Sequence, residues 1–249
     1  MPAGPRRVLR VLRALRLLRV LRALRALGQR LREGARAPPT AAVRWITTAD
    51  RPRLVAAALA VLGGALVLLV STTVFPYHSL NHDEGVYLTQ ASMLLEGQLT
   101  LEPPVPAAMR PWFFVADGSG GFYPKYAPVP AALFAVGGLF GWFRLALGLI
   151  AAGTIGLTYA TVAEAFDRRV GVVAAALLLA SPLFLVQASV FLPYVPTLVL
   201  ELLFAWALLR AERTGSDRLA LLAGAAIGLA FFARPWTAVL FATPFVALV

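Results

Sequence analysis

Cysteine is absent from the 249 residues, which excludes a disulfide framework and a thiolate metal site. Charge is scarce: 14% of the residues are Asp, Glu, Lys or Arg, against about 25% in an ordinary soluble domain. There is no Walker motif, Rossmann fingerprint or nucleophile elbow. Histidine occurs twice, as His78 and His82, and lysine once, as Lys125. What the chain has instead is apolar length, with 59% hydrophobic residues and a mean hydropathy of +0.76. Residues 54–75, 145–163 and 170–200 are free of charge. A bilayer core needs about 20 apolar residues in a helix, and no soluble core uses several such runs in succession. The chain is therefore expected to be an all-α, polytopic transmembrane protein.

The formal net charge of +11 belongs to one end. Residues 1–53 hold 14 Arg against Glu33 and Asp50, whereas the other 196 residues are close to neutral. Six arginines, Arg10 to Arg25, recur every third residue. At about 100° per residue they wind round a helix and leave no fixed polar face. The expected role is a cytoplasmic tail that meets membrane lipids through anionic headgroups, and nucleic acid is not expected as a partner. Residues 36–53, with Pro38, Pro39 and Pro52, read as a linker, so residues 1–53 form the tail and residues 54–249 the membrane domain.

The basic tail holds the start of a first span, 54–75, in the cytoplasm by the positive-inside rule. Residues 76–143 then form an external loop containing both His and the single Lys. Spans at 144–164, 170–190, 195–209 and 219–233 follow. Asp167-Arg168-Arg169 and the Arg210, Arg213, Arg218 group return to the cytoplasm, and Arg234-Pro235 faces out. Residues 127–143, opened by Pro128 and Pro130 and closed by three glycines, are expected to lie at the interface rather than cross. About six spans are expected in all, the last one incomplete within residues 235–249. Localisation is the cell membrane, with the active site on the extracytoplasmic side.

Chemistry concentrates in the loop. Asn81-His82-Asp83-Glu84-Gly85 precedes a helical repeat of apolar residues at Tyr87, Ala91, Leu94 and Leu95. Asn81 could cap that helix with Glu84 three residues on, an analogue of the capping box. Equally, a carboxylate pair at the mouth of a span is placed to act as a base. No cofactor is fixed by these residues, and His82 with Glu84 are the only candidate ligands for a divalent metal ion. Lys125, between Tyr123-Pro124 and Tyr126, is either a snorkelling lysine or a cation for a lipid phosphate. Arg234 closes a span beside Pro235 and is either a helix C-cap or a functional cation. Glu201, inside a span, needs a partner or a wet cavity. Gly224 and Gly228 form a GxxxG expected to pack helices.

Together these segments resemble the GT-C membrane glycosyltransferases, especially the relatives of protein O-mannosyltransferases and aminoarabinose transferases. The resemblance is carried by Asp83-Glu84 in HDEGVYLTQASMLLEGQL, Lys125 in PKYAPVPAAL, the two spans of RLALGLIAAGTIGLTYATVAEAFDRRVGVVAAALLLASPLFLV, and GLAFFARP. It runs from about residue 54 to the end and implies a GT-C-like N-terminal portion with interfacial helices in the first external loop. The family's Lys-Pro-Pro-Leu element is Lys-Tyr-Ala-Pro here. The implied activity is transfer of a sugar from a polyprenyl-phosphate donor to an extracytoplasmic glycan, lipid or protein acceptor. The implied roles are Asp83 as general base with inversion, Glu84 in support or at a metal, and Lys125 and Arg234 on the donor phosphate. Two other readings compete: a transporter or lipid flippase using Glu201 and Arg234, and a scaffold recruited through the arginine tail.

Overall fold

The computed structural model describes residues 51–79, 81–102, 113–116, 118 and 121–246. All lie within one compact unit, Ala49–Val249. The readings made for residues 1–50, including the arginine repeat, fall outside the described residues.

Helix α1 (Arg51–Thr73) begins with Pro52 in its first turn, where a missing N–H costs nothing. It buries its small residues, Ala56, Gly63, Gly64 and Ser71, together with Val67, and exposes Leu54, Val61, Leu62 and Leu69. That pattern is inside-out for water and right for lipid, where small residues let helices approach closely. The partner is α4 (Arg144–Ala165). A Cβ on Gly64 would lie 2.8 Å from the Gly148 carbonyl oxygen of α4, so the two backbones meet with no room for a side chain.

Between α1 and α4 stand α2 (Asp83–Leu95), a hairpin of β1 (Phe114–Ala116) and β2 (Phe122–Pro124), and α3 (Pro128–Gly138). Helix α3 starts with Pro128 at its first position. Its 11 residues span only about 17 Å at about 1.5 Å each, too short to cross a bilayer. Beyond α4 come α5 (Arg168–Leu179), capped by the Asp167 carboxylate, and α6 (Pro182–Ala188). The last three helices are α7 (Tyr194–Thr214), ended by Gly215 at φ 66°, α8 (Asp217–Ala233) and α9 (Pro235–Val246). The central core joins six helices through Val67, Tyr87, Phe134, Ile155, Leu179 and Phe184.

Helices α1, α4 and α7 are each long and apolar enough to cross a membrane, and α5 with α6 makes a fourth candidate. This last pair keeps the expected span over 170–190 as a candidate but bends it, because its two halves meet at 68°. Pro182 has no N–H to continue the ladder, and the Ser181 hydroxyl accepts the Phe184 N–H to start a new helix. With 17 and 12 residues, α8 and α9 fall short of the length of the other spans. The GxxxG of α8 is a correction. A Cβ at Gly224 or Gly228 would touch nothing, so this pair does not pack helices within the described residues.

Candidate active site

The chain leaving α1 is clamped twice before α2 begins. Arg144, at the first position of α4, donates to the Ser71 hydroxyl at 2.6 Å and to the carbonyls of Ser71, Phe75 and Pro76. These include carbonyls that the end of a helix leaves unsatisfied. Glu84 makes the second clamp. Its side chain is fully buried, with Oε1 accepting from the Ser79 N–H at 2.7 Å and from the Ser79 hydroxyl. Its Oε2 accepts from the Phe191 N–H at 2.8 Å, which ties the chain to the α6–α7 turn. Between the clamps His78 is driven to φ 96°, the left-handed region that side chains avoid.

The expected capping box takes a different form. His82 occupies the N-cap of α2, the Asn81 side chain accepts the Asp83 N–H at 3.0 Å, and Glu84 reaches back to Ser79 instead of Asn81. The two adjacent carboxylates thus part company. Glu84 turns into the core and Asp83 stays half-buried at the head of α2, where the helix dipole favours a negative charge.

Asp83 is met from across the loop. The Tyr126 hydroxyl donates to Asp83 Oδ1 at 2.8 Å, while Oδ2 accepts no hydrogen bond from the described residues. Tyr126 sits in the turn between β2 and α3. Its ring stacks on Tyr87 at 5.2 Å, and its carbonyl accepts the Gln90 side-chain amide at 3.1 Å. Burial, and then the hydrogen bond to Asp83 and its charge, push the Tyr126 phenol up to about 12. Burial likewise raises Tyr87, helped by Tyr126 and Asp83 and opposed by Arg234. Both phenols therefore keep their protons.

Arg234 stands in extended backbone between α8 and α9, with its guanidinium 4.4 Å from the Tyr194 ring. It lies within electrostatic reach of Tyr87 and of Glu201. Glu201 is buried in α7, and its Oε1 has no hydrogen-bond partner among the described residues. Lys125 is exposed and holds its ammonium 5.7 Å from the Phe113 ring, which packs at 6.0 Å on Tyr126. The structure thus gathers Asp83, Tyr87, Tyr126, Tyr194 and Arg234 at one end of the bundle. Lys125 is linked to Asp83 through two aromatic rings, Phe113 and Tyr126. His82 is exposed beside Asp83, and among the described residues no three His, Asp or Glu side chains are grouped to hold a metal ion. A metal on Glu84 would have to displace donors that its two oxygens already hold.

Three tyrosines and Arg144 were not singled out by sequence reasoning. Tyr87 carried a signal, being four residues after Asp83 and so on the same helix face. Tyr126 stood next to Lys125 but counted only as an aromatic neighbour.

Fold and site define an all-α membrane protein with a carboxylate set among phenols and a cation at one end. Residues 129–249, just under half of the chain, match the family model described as dolichyl-phosphate-mannose-protein mannosyltransferase. That match supports the resemblance to the GT-C membrane glycosyltransferases. It includes Glu201 and Arg234 and begins after Asp83, Glu84 and Lys125, so the loop site rests on its geometry. No curated protein and no solved structure matches the chain.

Proposed function

We propose that this GT-C type membrane glycosyltransferase takes its sugar from a polyprenyl-phosphate donor and uses Asp83 as the general base. The observation that carries the reading is the Tyr126 bond to Oδ1, which orients the carboxylate and leaves Oδ2 open to an acceptor hydroxyl. In the reaction the acceptor oxygen forms a bond to the anomeric carbon as its proton passes to Oδ2. The bond from that carbon to the phosphate oxygen breaks on the opposite face, with inversion. The electron pair leaves with the polyprenyl phosphate, whose added charge Arg234 and Lys125 offset. Tyr126 keeps its proton throughout and so holds Oδ1 without competing as a base. Glu84 acts on position: it fixes the start of α2 and thereby Asp83.

The acceptor is a hydroxyl of a glycan, lipid or protein, and the reading puts this end of the bundle on the extracytoplasmic side. The test uses membranes holding the full chain and labelled polyprenyl-phosphate sugars. Donor consumption is expected in the wild type and in Glu96→Gln, an exposed acid at the far end of α2, and is expected to be lost in Asp83→Asn. Equal turnover in Asp83→Asn would overturn the assignment. A transporter reading makes Glu201 the essential carboxylate instead, so donor consumption absent from every chain, with lipid transport kept in Asp83→Asn and lost in Glu201→Gln, would favour it.

A further inference from the structure

The end of the bundle away from Asp83 carries a second cluster. The first turn of α1, the last turns of α4 and α7 and the start of α5 enclose a cavity of about 310 Å³. Arg53, Arg168, Arg210 and Arg213 line it against a single carboxylate, Glu164, with Tyr159 and Trp206 in the wall. Among the described residues, Arg53, Arg210 and Arg213 face the one carboxylate Glu164, which leaves a surplus of positive charge in a concave space. The Glu164 side chain is 8% exposed and pairs with Arg213 Nε at 2.8 Å and with Arg210 Nη1 at 3.3 Å. A guanidinium has five N–H donors, so this pairing aims the two arginines while leaving donors for another acceptor.

We propose that this cavity binds the phosphate of an anionic lipid headgroup. Three observations converge on that class of ligand. Guanidinium forks match phosphate oxygens in pairs, which a point charge cannot do. The cavity sits where two of the three helices able to cross a membrane, α1 and α7, have their arginine-bearing ends, beside the end of the third, α4, which carries Glu164. Phosphate headgroups lie at that boundary in a bilayer. Tyr159 and Trp206 present the apolar body and polar edge that favour the same layer. The volume is at the small end of the range for ligand sites, about 300–1,000 Å³, and suits a headgroup rather than a whole lipid. Independently of the sugar-transfer reading, the site would hold this end of the bundle to one leaflet.

The experiment places the full chain in phosphatidylcholine nanodiscs and titrates phosphatidylglycerol, reading retained lipid by native mass spectrometry. Arg53→Gln with Arg168→Gln removes two exposed arginines without touching the Glu164 pairs. Arg218→Gln, on α8 and outside the cavity, is the charge control. The basic tail contributes equally in every chain, so the difference reports the cavity. The control is expected to bind phosphatidylglycerol about fivefold more weakly, the scale of one basic residue at a lipid surface, and the double variant by more than the roughly 30-fold that surface attraction alone gives for two. Trp206 supplies a local readout: a phosphatidylglycerol-dependent fluorescence change in the wild type is expected to vanish in Trp206→Phe. A parallel arm adds inorganic phosphate in place of lipid. If it alone reproduces the Trp206 response, the site takes soluble phosphate and the lipid assignment is overturned. Unchanged phosphatidylglycerol binding by the double variant would overturn the site itself.

Discussion

The two ends of the bundle treat carboxylates in opposite ways. At the Asp83 end the partners are neutral: a phenol for Asp83, and a hydroxyl and two backbone N–H groups for Glu84. At the other end Glu164 is held by two guanidinium groups. The two arginines engage both oxygens of Glu164, whereas the phenol orients Asp83 through one oxygen and leaves the other without a donor among the described residues. The end proposed for acid–base chemistry is therefore the one whose cation, Arg234, is stacked on Tyr194 rather than paired with Asp83.

The comparison breaks most sharply at Asp83. Asp83→Asn is expected to lower donor turnover by about 10²–10⁴-fold, the usual share of a general base, while Glu164→Gln keeps turnover near wild type in the same membrane assay. Next is Glu84→Gln, which removes a charged acceptor from buried N–H and O–H donors. It is expected to destabilise the protein by about 1–3 kcal/mol, read as a lowered Tm in detergent, with turnover falling as Asp83 loses its position. Glu164→Gln should cost less, about 0–1 kcal/mol, because its arginines are partly solvated and water can replace the partner.

The smallest effect is alkaline. The Tyr126 phenol lies at about 12 in the folded chain against an ordinary 10.0. A raised value favours the protonated fold, so its contribution is complete below pH 10 and lost as pH rises toward 12. Tm in detergent should accordingly fall less steeply over that interval in Tyr126→Phe than in the wild type. A profile identical in both would remove Tyr126 from the account.

The spans were legible because each is written locally, as an uncharged run. The expected 144–164 and 195–209 lie within Arg144–Ala165 and Tyr194–Thr214. The break at Ser181-Pro182 was not legible by hydropathy, since residues 170–200 carry no charge to mark it. Glycine spacing misled in the same way: the GxxxG of α8 is exposed, whereas the close approach joins Gly64 to Gly148 across two helices. The site was half legible. Asp83 and Arg234 announced themselves as charges at the ends of apolar segments. The link from Asp83 to Tyr126 spans 43 residues and has no local pattern. The resemblance implied separate roles for Asp83 and Glu84, but local pattern alone did not, since adjacent residues differ only in the direction the helix sends them.

Arg144 imposes an order of events on synthesis. The carbonyls it holds at Pro76 lie 68 residues upstream. A ribosome adding about 5–20 residues per second needs about 3–14 s to cover that distance. For that interval the outgoing end of α1 has no guanidinium to close it, and the whole loop carrying Asp83 and Tyr126 is made while the latch is still missing. Only once residue 144 and the rest of α4 have been made can this guanidinium join the end of α1 to the start of α4 and so tie together the two ends of the loop.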